Sequence, residues 1–259
     1  MSPPDPTKKL LALIKRLRAD YPETGDPGVQ SCPEGHDPLV WQLVFSFMSW
    51  EAGTAKAAPA TRKLHAGVID YNEMRVCLPD ELIALIGDRY PRAPERVQRL
   101  RSTLNDLYRR EHTVTLSSLP AMPKREARAY LDSLDGLPPY VAARLMLLSF
   151  GGHAFPVDER MYLSLLEEQA APEGTFEEVA GWLERAFHAG EAGEPYRILE
   201  AWLNDRPPPA PVRPARKPAA AKPAPAKAKA APEPTPPKPA RPEKPKATPT
   251  GSPKKTAKP

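Results

Sequence analysis

The 259-residue chain contains 36 prolines, 14 glycines and 2 cysteines, and its formal net charge is +5. Residues 206–259 hold 18 of those prolines, 14 of the 37 Lys and Arg residues and two acids only, so they carry +12 and residues 1–205 carry −7. Two cysteines exclude a four-thiolate metal cluster and a disulfide-rich secreted scaffold. The sequence has no recognisable signal peptide and no apolar run of the ~18 residues that span a membrane, so we expect a cytoplasmic protein.

Helical periodicity runs through residues 1–205. Five apolar residues spaced three and four apart form the stripe of a first helix: Leu10, Leu11, Leu13, Ile14 and Leu17. Asp37 followed by Pro38 predicts the capped start of a second helix over 39–51. Further helices are predicted over 55–66, 80–86, 94–110, 124–134, 140–150, 159–169, 176–189 and 195–204. Since no alternating strand pattern is present, the sequence predicts an all-α fold.

The C-terminal segment, residues 206–259, consists largely of Pro, Ala and Lys. Frequent proline removes the backbone donors that a helix needs, so we predict a disordered basic tail with polyproline II character. A solubilising role explains this composition, but evenly spaced positive charge favours association with nucleic acid.

The most informative stretch is a predicted helical hairpin over residues 124–150. Its turn contains Gly136, and its second helix contains Ala142 and Ala143, whose small side chains allow close packing. Free N–H groups at the start of such a helix can bind a phosphate. The loop that follows ends in Pro156-Val157-Asp158 and brings one carboxylate to the start of the next helix.

These residues resemble the helix-hairpin-helix glycosylase superfamily, the base-excision repair enzymes that include endonuclease III and the adenine glycosylases. In that family a hairpin of the type Leu-Pro-Gly-Val-Gly is followed by a helix and by a loop ending in Val-Asp. Residues 134–138, the helix over 140–150 and residues 156–158 match this order and spacing. The resemblance covers about residues 38–203. It implies a two-lobed helical fold for residues 1–205, with the first and last helices closing one lobe.

Carried over residue by residue, the resemblance implies that Asp158 is the catalytic aspartate. Its spacing alone favours a simpler role, in which Asp158 only caps the helix that begins at residue 159, although one residue can do both. Tyr140 occupies the position where the bifunctional members of the family carry a lysine, and tyrosine cannot form a Schiff base. Met48 occupies the position of a polar glutamine that fills the gap left by the extruded base.

The same comparison implies that the hairpin at Gly136 and Leu137 anchors the DNA backbone. Pro138 replaces the second hairpin glycine, so at least one N–H group that would face a phosphate is missing. Lys124, Arg125 and His153 lie beside the hairpin in the sequence and are candidate DNA contacts, although a solvated surface explains them too. The iron–sulfur cysteines that often follow this domain are absent from the sequence.

The sequence therefore predicts a base-excision repair protein that binds double-stranded DNA. The expected activity is that of a monofunctional DNA N-glycosylase, in which Asp158 assists water attack and no metal, iron–sulfur cluster or other cofactor takes part. The alternative is a non-catalytic helix-hairpin-helix DNA-binding protein. We expect a monomer associated with the nucleoid and without a membrane partner.

Overall fold

A computed structural model describes residues 5–22, 32–188 and 190–207, and within these ranges the chain forms eleven α-helices and no strand. The all-α prediction is therefore confirmed for them. The helices are α1 (Pro6–Asp20), α2 (Pro38–Ser49), α3 (Thr54–Gly67), α4 (Tyr71–Val76), α5 (Pro79–Ile86), α6 (Ala93–Glu111), α7 (Lys124–Asp132), α8 (Pro139–Phe150), α9 (Glu159–Glu167), α10 (Phe176–Ala186) and α11 (Gly193–Asp205). A short 3₁₀ turn, Leu119–Ala121, precedes α7.

Two kinds of difference separate these helices from the predicted ones. No sequence pattern predicted α4, because its 6 residues are too few to establish a helical period. The predicted helix over 39–51 ends at Ser49, so Glu51 lies outside it. The predicted helices over 124–134, 159–169 and 176–189 end earlier as well, at Asp132, Glu167 and Ala186.

The first lobe contains α2 to α8 around one apolar core. Helix α2 lies at its centre, and every residue from Val40 to Ser49 is buried. The side chain of Asp37 begins this helix by accepting hydrogen bonds from the N–H groups of Leu39, at 2.8 Å, and Val40, at 3.3 Å. The capped start predicted from the sequence is thus present.

The second lobe combines both ends of the described chain. Helix α1 packs against α11, and α9 and α10 complete the core with Phe155, Met161, Leu165 and Leu199 among its fully buried residues. The predicted closure of one lobe by the first and last helices is therefore confirmed.

Helix α8 contributes to both cores. Leu145 and Met146 belong to the first core, whereas Leu147 belongs to the second. Ala142 and Ala143 are buried, and their small side chains allow α8 to pack closely against α2. Because α8 runs between the lobes, residues at its start lie where the two lobes meet.

The chain beyond residue 207 lies outside the described residues, and so does nearly all of the predicted tail. Arg206 is described, and it pairs with Glu167 at 2.8 Å and Glu168 at 3.1 Å. The boundary after residue 205 stays a prediction. None of the described helices has both the length and the apolar character needed to cross a membrane.

Candidate active site

A cleft of about 370 Å³ opens between the two lobes. The end of α2, the start of α8, the segment that precedes α9 and one face of α10 form its walls. Asp158 and Tyr140, the two residues that the sequence placed at the catalytic position, both line it. Trp50, Phe155 and Phe176 also line the cleft, and aromatic rings can stack on the flat face of a nucleobase.

Asp158 holds two backbone segments together at the edge of this cleft. Its Oδ1 accepts the N–H of Met161 at 2.9 Å and so caps α9, as the sequence indicated. Its Oδ2 accepts the N–H of Glu51 at 3.0 Å, from the chain just beyond α2. The side chain is 1% exposed. Capping and a position in the cleft therefore coexist in one residue, and the catalytic role itself stays a prediction.

Glu51 is a second carboxyl group in the cleft, and the sequence did not single it out. Its backbone is left-handed, with φ of 57°, which is uncommon for a residue other than glycine. This turn lets Glu51 donate its N–H to Asp158 while its Oε1 accepts the N–H of Glu159 at 3.1 Å. The start of α9 and the end of α2 are thus held by reciprocal hydrogen bonds.

Burial raises the pKa of Glu51 to about 7, and the negative charge of Asp158 contributes in the same direction. The hydrogen bond from Glu159 and the charge of Arg92, whose Nη2 lies 4.0 Å from Oε1, oppose this rise. A carboxyl group with a pKa near neutrality can hold a proton and release it at physiological pH. Its place in the cleft and this raised pKa make Glu51 a candidate general acid.

Hydrogen bonds from Arg96 hold the end of α2 in place. This buried side chain donates to the carbonyl oxygens of Phe47, Trp50 and Pro91. The Phe47 and Trp50 carbonyls have no partner within the helix because α2 ends at Ser49, and the Pro91 carbonyl lies just before α6. Arg96 thus holds Trp50 and the following Glu51 in place.

Tyr140 turns its hydroxyl away from the cleft. The Oη atom lies 3.0 Å from the hydroxyl of Tyr196 and donates to Glu200 at 3.4 Å, both on α11. Burial raises the pKa of Tyr140 well above its ordinary value, with Glu200 and Tyr196 adding to the effect. Only the rest of this side chain is therefore available to a molecule in the cleft.

Arginines line the cleft on the side of the first lobe, and each is paired with an acid. Arg92 contacts Glu159 at 3.3 Å, and Arg99 contacts Glu95 at 3.0 Å. Arg128 pairs with Asp132 at 2.8 Å. These side chains are one-third to two-fifths exposed. They can exchange their carboxylate partners for phosphate at little cost, because surface ion pairs contribute little stability.

The hairpin turn packs against α6. Gly136 has φ of 77°, and a Cβ there would lie 2.8 Å from the carbonyl oxygen of Arg99. Asp106 on α6 accepts the N–H of Asp135 at 3.0 Å, and Thr103 donates to the Asp135 carbonyl at 2.9 Å. Gly136 therefore allows close helix packing, and its predicted role in DNA binding stays a prediction, as does that of Leu137.

The predicted DNA contacts Lys124, Arg125 and His153 come together in a separate recess of about 360 Å³ beside the hairpin. Lys124 donates to the carbonyl of Gly151 at 2.7 Å, and Nε2 of His153 lies 2.6 Å from the carbonyl of Glu184. Because Arg128 lines both this recess and the cleft, the two form neighbouring parts of one face.

Three charged residues of the site carried no signal in the sequence. Glu51 follows a hydrophobic helix as an ordinary surface acid would, and Arg160 and Glu200 lie on amphipathic helices among other charged residues. Only the packing of α9 and α11 buries the latter two, which pair at 2.8 Å. Within the described residues no group of three or more His, Cys, Asp or Glu side chains is placed to hold a metal ion.

No protein-family model matches this chain, and no curated protein matches it in sequence. Solved structures match it in three dimensions. A trapped endonuclease III–DNA covalent intermediate has a TM-score of 0.56 at 13% identity, covering 74% of this chain and 84% of that one. The Clostridium acetobutylicum 8-oxoguanine glycosylase/lyase in complex with DNA has a TM-score of 0.52 at 16% identity, covering 77% and 69%.

A thermostable thymine-DNA glycosylase gives a TM-score of 0.52 at 15% identity, covering 76% of this chain and 86% of that one. Similarity at this level of identity concerns the fold, and fold alone does not fix chemistry. The resemblance stated from the hairpin and the Pro-Val-Asp loop is confirmed at that level: the described part of this chain has the helix-hairpin-helix fold of the base-excision repair DNA glycosylases.

Proposed function

We propose that this protein is a monofunctional DNA N-glycosylase, which hydrolyses the bond between a damaged or mispaired base and its deoxyribose. The observation that carries the proposal is the meeting of two carboxyl groups, from Asp158 and Glu51, in one partly aromatic cleft between the lobes. Two acids in different environments can take different proton-transfer roles. The solved structures with this fold are named as glycosylases or as endonuclease III bound to DNA, which supports the proposal.

In the proposed reaction the target nucleotide leaves the duplex and its base enters the cleft. The bond between C1′ and the base breaks, its electron pair leaves with the base, and Glu51 supplies the proton that the base accepts. The carboxylate of Asp158 stabilises the oxocarbenium-like sugar. A water oxygen then bonds to C1′ and its proton passes to Asp158, from which solvent returns it to Glu51. This sequence needs no metal, iron–sulfur cluster or redox cofactor.

The proposal includes no lyase activity because, among the described residues, no lysine lines the cleft. Tyr140 occupies the position of the family lysine, and its hydroxyl is committed to Tyr196 and Glu200. Lys124 lies in the neighbouring recess, where its ammonium group donates to Gly151. A Schiff base requires a neutral amine that can reach C1′.

Double-stranded DNA is the proposed partner, and the cations beside the hairpin are its proposed phosphate contacts. Lys124 and Arg125 are exposed and Arg128 is partly exposed, and all three lie along the face that joins the recess to the cleft. Pro138 and Pro139 carry no N–H, so side chains must supply more of the phosphate contacts than the hairpin backbone does.

The experiment is an assay of the purified protein on a panel of duplexes, each with one damaged or mispaired base. A monofunctional glycosylase gives strand breaks only after alkali, and borohydride traps no covalent adduct on an abasic duplex. A trapped adduct that survives substitution of both Lys124 and the tail lysines contradicts the assignment of Tyr140. Binding without base release across the panel supports the alternative, a non-catalytic DNA-binding protein with this fold.

A further inference from the structure

A chain of buried polar side chains leads from the cleft into the contact between the lobes. It starts at Asp158, continues through Arg160 on α9 to Glu200 on α11, and ends at the hydroxyls of Tyr140 and Tyr196. All five residues are at most 9% exposed. Buried charges are costly unless they are paired, so an arrangement of this kind needs a physical reason.

Arg160 lies between two acids but bonds fully to only one. Its Nη2 donates to Oε1 of Glu200 at 2.8 Å, whereas its Nε lies 3.5 Å from Oδ2 of Asp158 and makes no hydrogen bond. The guanidinium passes over Gly53, where a Cβ would lie 2.7 Å from Nη1. The missing side chain of Gly53 thus makes room for Arg160 at this distance from Asp158.

The partner that Arg160 bonds to determines the charge that Asp158 presents to the cleft. A guanidinium in a direct bond with a carboxylate neutralises most of its field, and a neutralised aspartate stabilises a cationic sugar poorly. With Glu200 as the bonded partner, Asp158, Arg160 and Glu200 together carry one net negative charge. With Glu200 uncharged, the same group carries none.

We infer that Glu200 is a positioning residue, which holds Arg160 so that Asp158 keeps its negative charge at the cleft. This inference rests on the glycosylase reaction proposed above, because it assigns a purpose to the charge of Asp158. Glu200 does not line the cleft itself. It bonds Arg160 at 2.8 Å and accepts the Tyr140 hydroxyl at 3.4 Å, and its effect on the charge of Asp158 passes through Arg160.

The surroundings of Glu200 match this role. Burial raises the pKa of Glu200 and the charge of Asp158 raises it further, while Arg160 and Arg144 lower it. Its Oε2 is buried without a hydrogen-bond partner, and the hydroxyl of Tyr140 donates to its Oε1. The ionised form of Glu200 therefore depends on Arg160, and the two groups hold each other in place.

The test is Glu200→Gln, which keeps the shape of the side chain and removes its charge. Arg160 then turns to Asp158, so the single-turnover rate of base release falls about tenfold or more while the DNA dissociation constant changes less than about twofold. The matched control is Glu194→Gln, which removes the same charge from a partly exposed position at the start of the same helix, where Glu194 pairs with Arg18. Glu194→Gln should leave both the rate of base release and the DNA dissociation constant unchanged.

A second measurement does not depend on activity. Glu51 faces Asp158, Glu159, Arg92 and Arg96 in the folded protein. With Glu200→Gln the field of Asp158 at Glu51 weakens, so ¹³C NMR of the carboxyl groups should show a rise of about threefold or more in the acid dissociation constant of Glu51. The Glu51→Gln variant assigns the signal, and Glu194→Gln leaves it in place.

The double variant Arg160→Gln/Glu200→Gln completes a double-mutant cycle. It can also replace the single variant Glu200→Gln if that variant folds poorly. It removes the guanidinium as well, so the rate recovers to within about threefold of the wild-type rate. A double variant as slow as the single variant, or an unchanged Glu51 titration in Glu200→Gln, overturns the inference. Absence of base release by the wild-type protein with a shifted Glu51 titration would instead contradict the proposed function and leave the positioning role of Glu200 supported.

Discussion

Asp158 and Glu51 each hold the backbone of the segment that carries the other. Asp158 accepts the N–H of Glu51, and Glu51 accepts the N–H of Glu159 next to Asp158. Such reciprocity fixes both carboxyl groups without a further side chain, because the donors are parts of the main chain. It also means that each acid has a structural role beside its proposed chemical one, and substitutions must separate the two.

Asp158→Asn separates the roles of that residue. The amide oxygen can replace one of the two carboxylate acceptors, but the amide NH₂ then faces the N–H group of either Glu51 or Met161. We expect a loss of about 1–2 kcal/mol in the free energy of unfolding and a fall of about 100-fold in base release. Asp70→Asn is the control, since Asp70 caps α4 at an exposed site outside the cleft. Equal activities for the two variants would leave Asp158 as a helix cap only.

The raised pKa of Glu51 should make the stability of the protein depend on pH. Its pKa is about 7 in the folded protein and lies near 4.5, the ordinary value, in the unfolded chain. The folded state therefore binds this proton more tightly. The resulting stability is fully present below pH ~4.5 and is lost as the pH rises to about 7.

The Glu51→Gln variant should lack this dependence. The difference in unfolding free energy between variant and wild type should change by about 1–3 kcal/mol in favour of the variant between pH 4.5 and 8. Urea denaturation at a series of pH values measures the difference. A constant difference across this range would mean that Glu51 titrates normally and is not the proton donor.

Among the helices, α6 holds the turn of the hairpin formed by α7 and α8. Ser133 and Asp135 bond through their main chain to Arg110, Asp106 and Thr103. The turn therefore has a fixed position relative to the first lobe, and α8 starts beside the cleft with Tyr140 in its first turn. The hairpin positions the site whether or not its own backbone binds a phosphate.

Gly136→Ala tests how closely the hairpin approaches α6. The new Cβ would lie 2.8 Å from the Arg99 carbonyl, and the backbone is left-handed, so we expect a loss of about 2–4 kcal/mol. Gly87→Ala is the matched control, because Gly87 also has a positive φ, of 99°, but no heavy atom lies within 4 Å of its added Cβ. It should lose about 1 kcal/mol. Equal losses in thermal or urea unfolding would mean that the close approach to α6 has no energetic effect.

At the scale of the whole molecule, charge is divided unevenly along the chain. Residues 1–205 carry −7, and residues 206–259 carry +12. DNA at a distance is therefore repelled by the first part and attracted by the second. We expect that tethering turns weak contacts between the tail and phosphate into a high local concentration of DNA near the cleft.

Truncation after Pro207 should weaken duplex binding about tenfold or more at low salt and reduce the slope of log affinity against log salt. This end point retains Arg206, whose ion pairs with Glu167 and Glu168 belong to the second lobe. Single-turnover base release at saturating protein should hardly change. Changing the tail lysines to glutamine is the control that keeps chain length. Equal salt slopes for all three proteins would assign the tail to another acidic partner.

The helical class, the hairpin, the Asp158 cap and the division of charge can all be predicted from the sequence. Each depends on local patterns: apolar residues three and four apart, a glycine in a turn, an aspartate before a helix, and composition. The helix ends were less accurate, and α4 was missed because one short turn gives too little periodicity.

Which side chains meet in the cleft depends on how the helices pack, and the sequence does not predict it. Glu51, Arg160 and Glu200 look like surface charges in the sequence, and they become functional candidates because the lobes bury them beside Asp158. Tyr140 was expected at the site, but the direction of its hydroxyl depends on α11, some 60 residues later. Burial and long-range pairing set the charge and pKa of these groups, and no local pattern records either.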